Sequence, residues 1–267
     1  MLMSKNDNKA MESEVLDTRG SFDYQWKNIP EGAYLLSDAA FRENVDKILL
    51  DELGVSQEFL KGSFAVDAGC GNGRWTYGLL KLGCKVVAFD FTKSGCKETK
   101  NNTEQFDTFD IILADILHTP LRNNLFDIVF CWGVLHHTGN VRLAFQNVAN
   151  LVRHGGLLHI YVYGPKSKRT KLWRKILSQF SYNNRLALIK ALTPLTNKFP
   201  KLRVIIPFSS SIHGSFDAYS PSINVESSKE YIVSLFEENG FKTIKNLNPK
   251  WCNAVLSLDI HMQGEKK

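Results

Sequence analysis

No stretch of the 267 residues comes near the ~20 consecutive apolar residues that a bilayer-spanning helix needs. The segment from Met1 to Glu14 is polar with mixed charge, unlike a signal peptide, so a soluble, cytoplasmic protein is the expectation. Cysteines are few and scattered: Cys70, Cys84, Cys96, Cys131 and Cys252, with no CxxC pair. That argues against a disulfide framework or a thiolate zinc site and for reduced thiols with packing roles. Internal repeats and low-complexity tracts are also lacking. The most informative absence is of acid. From Ile128 to Phe216 there is no Asp or Glu while thirteen Lys and Arg fall there, so a net charge of +6 conceals a basic stretch and a remainder at −7.

What is present is an alternation of strand and helix patterns, in a chain that is 43% hydrophobic and long enough for one large domain. Short apolar runs at Phe64 to Ala68, Lys85 to Asp90, Phe109 to Ala114, Phe126 to Gly133 and Leu157 to Tyr163 suit parallel strands buried on both faces. Helical spacing runs from Trp75 through Leu79, Leu80 and Leu82, stopped by Gly83, and again over Val141 to Val152, where Gly155-Gly156 ends the element. Near the C-terminus, Ser227 starts a helix with Ile232, Leu235 and Phe236 facing inward and Gly240 as its cap. Strands near Phe241 to Leu247 and Val255 to His261 follow.

Between Gly164 and Val225 this rhythm breaks. A basic amphipathic helix sets Leu172, Trp173, Ile176, Leu177 and Phe180 on one side, a second apolar helix lies near Leu186 to Leu192, and Pro194, Pro200 and Pro207 break the loop beyond. The expected organisation is an N-terminal cap over 1–61, a core over 62–163, a basic helical insertion or lid over 164–225, and the last helix and two strands over 226–267.

The centre of the functional reading is Asp67-Ala68-Gly69-Cys70-Gly71-Asn72-Gly73. Glycines at the end of a first strand let the backbone turn sharply and approach a ligand, and the helix that follows offers free amide donors. The spacing is GxGxG, with Arg74 where a dinucleotide fingerprint would place its third glycine. Asp67, two residues before the first glycine, suits a ligand carrying an ammonium group better than one carrying pyrophosphate. Asp90 ends the second strand about twenty residues on, where a carboxylate accepts from both ribose hydroxyls. Asp115 ends the third and is followed by Ile116, so a carboxylate and the next amide are placed to read an adenine edge. A single strand-end Asp can equally be a helix cap. Three at successive strand ends, on the edge where α/β sheets bind ligands, point to a site.

With these residues in view, Ala65 to Gly164 resembles the Methyltransf_11-type class I methyltransferases: VDAGCGNGRWTYGLL, VVAFDFT, ADILHTPLRNNLFDIVFCWGVLHHT and LVRHGGLLHIYVYG correspond to that family's motifs. The resemblance implies a Rossmann-like, seven-stranded, mostly parallel sheet whose last strand is antiparallel, here with an inserted helical lid after the fifth strand. It implies S-adenosyl-L-methionine as cofactor. Gly69, Gly71 and Gly73 would approach its methionine part beside Asp67, Ala68 and Cys70, Asp90 would hold the ribose, Phe91 would pack on the adenine, Asp115 with Ile116 would read its edge, and Trp132 would complete the set. SFDYQW (Ser21 to Trp26) resembles a segment preceding the core in methyltransferases of biosynthetic clusters, where aromatics such as Tyr24 and Trp26 cover the cofactor; core packing is the alternative.

His136 and His137 follow the fourth strand on the acceptor side, and one of them is the candidate general base. Metal ligation by the pair is disfavoured because adjacent side chains diverge, and no metal is expected. Neither an Asn/Asp-Pro-Pro-aromatic sequence after the fourth strand nor a Pro-Cys nucleophile is present, which disfavours methylation of DNA bases. The expected activity is methyl transfer to O, N or C of a small or carrier-linked acceptor, with an anionic acceptor or peripheral membrane contact suggested by the basic stretch. An RNA methyltransferase and a non-catalytic cofactor-binding protein are the alternatives.

Overall fold

The computed structural model describes residues 5–251 and 258–267. Three helices, α1 (Lys5–Asn28), α2 (Ala39–Leu53) and α3 (Gln57–Leu60), precede the first strand. The sheet comprises β1 (Phe64–Ala68), β2 (Lys85–Asp90), β3 (Phe109–Leu113), β4 (Phe126–Trp132), β5 (Val152–Val162), β6 (Phe241–Leu247) and β7 (Ile260–Lys266), in the order β3-β2-β1-β4-β5-β7-β6. The first five strands are parallel and β7 runs antiparallel to both its neighbours, as the resemblance implies. Helices α4 (Arg74–Lys81), α5 (Lys93–Thr103) and α6 (Val141–Leu151) supply crossovers. After β3 the chain returns to the other side of β1, so a crevice opens at the carboxyl ends of β1 and β4, where parallel sheets bind ligands.

The apolar runs are buried because both sheet faces are covered. Val66, Phe89, Val129, Phe145, Leu158 and Phe236 belong to the core on one face, and Leu49, Ala65, Trp75, Leu79, Ile128 and Phe130 to that on the other. A third cluster joins Leu177, Leu186, Ile189 and Phe216 to Ile29 and Tyr24, linking the segment after β5 to α1. That segment contains α7 (Lys168–Leu177), α8 (Tyr182–Lys198) and α9 (Ile212–Tyr219), and α10 (Lys229–Glu238) follows. Ser167, Ser181, Ser211 and Ser228 each accept from an amide three residues on and so start the four helices, a cap being typically worth ~1 kcal/mol.

Several boundaries differ from the sequence expectation. The last helix is capped by Ser228, one residue after Ser227. Gly155-Gly156 ends no element: Val152 already pairs with Phe126, and Gly155, at φ +73°, kinks β5 internally. The second insertion helix runs from Tyr182 through Pro194 to Lys198, because Ile189, Thr193 and Thr196 remain buried on its inner side at the cost of one missing amide. The supposed loop beyond it holds α9, eight residues containing Gly214, too short and too weakly periodic to be read. The strand expected over Val255 to His261 begins among residues outside those described, as does Cys252; the described strand runs from Ile260 to Lys266.

A buried hub ties the first part of the chain to the sheet. Glu52, fully buried near the end of α2, accepts at Oε1 from Trp132 Nε1 (3.1 Å), His159 Nε2 (2.9 Å) and His261 Nδ1 (2.6 Å), and at Oε2 from Trp251 Nε1 (2.8 Å). Burial pushes its carboxyl up, but the hydrogen bonds and charge of His159 and His261 outweigh that and hold it well below the usual carboxylate range. Although Glu52, His159 and His261 bring metal-capable atoms within 4.8 Å of one another, four N–H donors already occupy the carboxylate, which makes the cluster a hydrogen-bond hub.

Gly73 opens α4 at φ +79°, and a Cβ there would lie 2.7 Å from Thr99 Cα on α5. Backbone cannot yield as a flexible side chain does. Gly73→Ala is expected to cost about 2–4 kcal/mol, from the left-handed strain and the clash together. Urea unfolding should show a clearly lowered midpoint, and an unchanged midpoint would contradict this packing.

Candidate active site

A cavity lies at the carboxyl edge of β1, β2 and β4, lined by Gly69, Cys70, Gly71, Asp90, Phe91, Asp115, Ile116, Trp132 and His137 from the expected set. The glycine turn forms a cradle that side chains would fill. A Cβ on Gly69 (φ +82°) would stand 2.3 Å from Val134 Cγ2, and one on Gly71 (φ +54°) 2.5 Å from the Trp26 indole. Asp90 holds this turn to β2: its Oδ2 accepts from Gly71 N (3.0 Å), while Oδ1 accepts from Thr92 N (2.8 Å) and Thr92 Oγ1 (2.6 Å). Burial raises the Asp90 carboxyl above its ordinary value, against the pull of those bonds. Asp115 both borders the cavity and caps the short turn Ile116–His118, accepting from Leu117 N at 2.9 Å.

Three expected cofactor residues stand back from the cavity. Ala68 is buried in the core, Gly73 packs on α5, and Asp67 accepts from Thr76 Oγ1 at 2.6 Å beneath the turn. Burial pushes Asp67 up to about 7. Asp67 thus stands behind the turn, bonded to Thr76, rather than among the residues that line the cavity.

The two histidines differ in access rather than in direction. On the short turn Leu135–His137 their rings lie 4.1 Å apart, so the side chains do not diverge as the sequence suggests, but His137 borders the cavity and His136 does not. His136 stacks on Tyr163 (4.0 Å between centroids), its Nδ1 faces the Tyr163 N–H at 3.4 Å, and burial drives its pKa far down. His137 Nδ1 lies 2.8 Å from Ile223 O. A carbonyl only accepts, so Nδ1 carries the proton and Nε2 keeps its lone pair, buried and without a partner among the described residues. Burial lowers the His137 pKa, so the ring is neutral at pH 7.

Other residues at the cavity were not foreseen. Asp217 and His213 come from α9, Phe22 and Val15 from α1, and Arg74 from the start of α4. Asp217 accepts from Tyr163 OH at 2.5 Å. It is the first acid after the acid-free stretch, which was the one available signal. Phe22 stands edge-on to His137 (5.0 Å) and 6.2 Å from Phe91, and α1 is fixed to α5 by Ser94 Oγ donating to Asp23 (2.7 Å). Of the two N-terminal aromatics, Trp26 borders the cavity, whereas Tyr24 packs with Tyr182 and Phe216.

His213 is buried against the Gln25 amide (3.0 Å), and burial lowers its pKa to about 3. Because the folded value lies below the unfolded ~6.5, the neutral ring's stabilisation is complete above pH 6.5 and is lost as pH falls toward 3. At pH 5 the loss from this ring is about 2 kcal/mol. Unfolding midpoints measured from pH 7 to pH 5 should fall more steeply for wild type than for His213→Gln; equal slopes would show that His213 does not carry the effect.

Comparisons with known proteins bear on the domain that carries this cavity. Residues 66–160 match the Methyltransf_11 family, described as a methyltransferase domain. The tRNA (carboxymethyluridine(34)-5-O)-methyltransferase alkbh8 of Xenopus tropicalis is 34% identical over 124 residues, which are 45% of this chain and 18% of that protein. The ubiquinone biosynthesis O-methyltransferase of Coxiella burnetii is 32% identical over 100 residues, 37% of this chain and 43% of that one. The chain thus matches less than half the length of these curated relatives. Two solved structures share its fold at low identity: 1,6-didemethyltoxoflavin-N1-methyltransferase of Burkholderia thailandensis (TM-score 0.57, 15% identity, 100% of this chain and 92% of that one) and N-methyltransferase NodS of Bradyrhizobium japonicum (TM-score 0.56, 14%, 94% and 98%). Residues 66–160 accordingly match a methyltransferase domain, set in a chain that has the fold of solved methyltransferases.

Proposed function

We propose that this protein transfers a methyl group from S-adenosylmethionine to an oxygen or nitrogen of a small or carrier-linked acceptor, bound between the core and the helices α1 and α9. One observation carries the reading: a single cavity joins the strand-end residues Gly69, Gly71, Asp90, Asp115 and Ile116 to acceptor-side groups His137, His213 and Asp217. The residues present suit the cofactor. Two carboxylates at strand ends and the buried indole Nε1 of Trp26, which has no partner among the described residues, are groups that a polar nucleoside would satisfy. Asp90 would hold the ribose hydroxyls, Asp115 and the Ile116 amide the adenine edge, and the amides of the glycine turn the methionine part.

When bound, S-adenosylmethionine supplies a sulfonium-activated methyl group, so the chain's task is alignment and proton removal. Phe22, Trp26 and Trp132 wall the cavity with flat apolar surface, which excludes water and suits a ring-bearing acceptor. The lone pair on His137 Nε2 takes the acceptor's proton, the Ile223 carbonyl holding the ring in the tautomer this requires. Asp217 and Arg74 provide polar contacts at the same end.

Methylation of an RNA is the second reading, favoured by the relative that acts on tRNA. Against it, α1 and α9 border the cavity and narrow its approach. The deciding experiment incubates the protein with labelled S-adenosylmethionine and fractions of a cell extract, with and without ribonuclease. S-adenosylhomocysteine formation that survives ribonuclease supports the proposal, its loss supports the RNA reading, and no S-adenosylhomocysteine with any fraction would mean a binding protein without turnover.

A further inference from the structure

Helix α7 has an outward face that no element covers among the described residues. Its inner side is anchored by buried Leu177 and by Arg174, which donates to the carbonyls of Ala218 and Pro221 beside α9. One edge is sewn to the turn Pro200–Val204 and its continuation, Arg169 donating to Val204 O and Trp173 Nε1 to Ile205 O (2.8 Å). The stripe that helical spacing places on one side therefore divides: Leu177 is buried and Trp173 half-buried, but Leu172 is 56% exposed, and Ile176 and Phe180 also face solvent. Across the sewn edge, Val204 and Ile205 are 61% and 65% exposed. Large aliphatic side chains left this open beside one another are unusual on a protein that stays in water.

Cations surround them. On a helical wheel Lys168 and Lys175 flank Leu172, while Lys201 and Arg203 belong to the turn that presents Val204 and Ile205. Among the described residues Lys168, Lys175 and Lys201 form no ion pair; Lys171, on the same side of α7 as Lys168 and Lys175, pairs with Glu226 at 3.0 Å. A solvated face mixes both signs, whereas the only carboxylate paired with these lysines among the described residues is Glu226, at the edge of the aliphatic centre.

We propose that this face, Leu172 and Ile176 of α7 with Val204 and Ile205 of the adjoining turn, seats on an anionic phospholipid surface. The aliphatic side chains enter the headgroup boundary and the lysines meet lipid phosphates, the division of labour of an interfacial helix. A single-stranded nucleic acid would use the cations but leave the aliphatic side chains in water, since bases stack on aromatic rings. Arg174 joins the inner side of α7 to the end of α9, so the seat lies on the helix that is tied to the one carrying Asp217 at the cavity.

The test is co-sedimentation of the full chain with vesicles of phosphatidylcholine alone and with about one-third phosphatidylglycerol, in low and high salt. Binding is expected only to the anionic vesicles. Leu172→Gln with Ile205→Gln, both on the surface, should weaken it about tenfold, and Lys168, Lys175 and Lys201 changed to Gln on the order of a hundredfold. Unchanged thermal melting shows that these variants fold. No binding to anionic vesicles, undiminished binding by the Leu172/Ile205 variant, or displacement from vesicles by a single-stranded RNA at lower concentration than the lipid would each overturn the proposal.

Discussion

Replacing Asp90 with alanine is expected to weaken S-adenosylmethionine binding by about a hundredfold or more, read by calorimetry. Two losses combine. A carboxylate accepting from ribose hydroxyls makes charge-assisted bonds worth ~1.5–3 kcal/mol. Its Oδ2 also accepts from Gly71 N, so alanine removes the acceptor that draws the glycine turn toward β2, at roughly another 1 kcal/mol of organisation. Asp90→Asn separates the two: it keeps an oxygen for Gly71 or for a hydroxyl but has no charge, and should fall between wild type and alanine. Because burial raises the Asp90 pKa, acid should weaken binding at a higher pH than an exposed aspartate would allow. An alanine variant with wild-type affinity would remove Asp90 from the cofactor site.

The second large effect is on turnover. His137→Gln, which keeps a side-chain amide to meet the Ile223 carbonyl but has no basic nitrogen, should lower turnover by ~10²–10⁴ with cofactor affinity changed less than about twofold. His137→Ala should do the same with an added loss of stability, since Ile223 O would be left without its donor. In wild type, burial keeps the His137 pKa below its ordinary ~6.5, so kcat/KM should be flat near neutrality and fall only at more acidic pH. Full activity in the Gln variant, or an acid limb above pH 6.5, would mean that the proton leaves by another route.

The core was legible because its physics is local in sequence. Glycine spacing, apolar runs and acids at strand ends each lie within a few residues of the chemistry they serve, and Gly69, Gly71, Asp90 and Asp115 meet at one cavity. What depends on depth was harder to read. Asp67 and Asp90 look alike along the chain, yet one is consumed by Thr76 beneath the turn and the other stays at the surface of the site. His136 and His137 are neighbours whose rings touch on a tight turn, yet only the second reaches the cavity. His213 and Asp217 were hidden for another reason: they lie fifty to more than a hundred residues from the motifs they join, and no periodicity marks a contact over that distance. α9, eight residues long, carries too little pattern to announce itself.

The sheet order also has a consequence in time. β7 follows β6 in the chain yet lies between β6 and β5, so β6 has no partner in the sheet until β7 is in place. A growing or refolding chain can complete the five parallel strands by short-range crossovers, but β6 cannot be added to that nucleus as the next strand outward. It must wait with α10 while β7 doubles back, and the two dock as one antiparallel pair. The Glu52 hub shares this delay, because His261, one of its donors, arrives only with β7. α2 can therefore complete its bonds to the sheet only once β7 is in place.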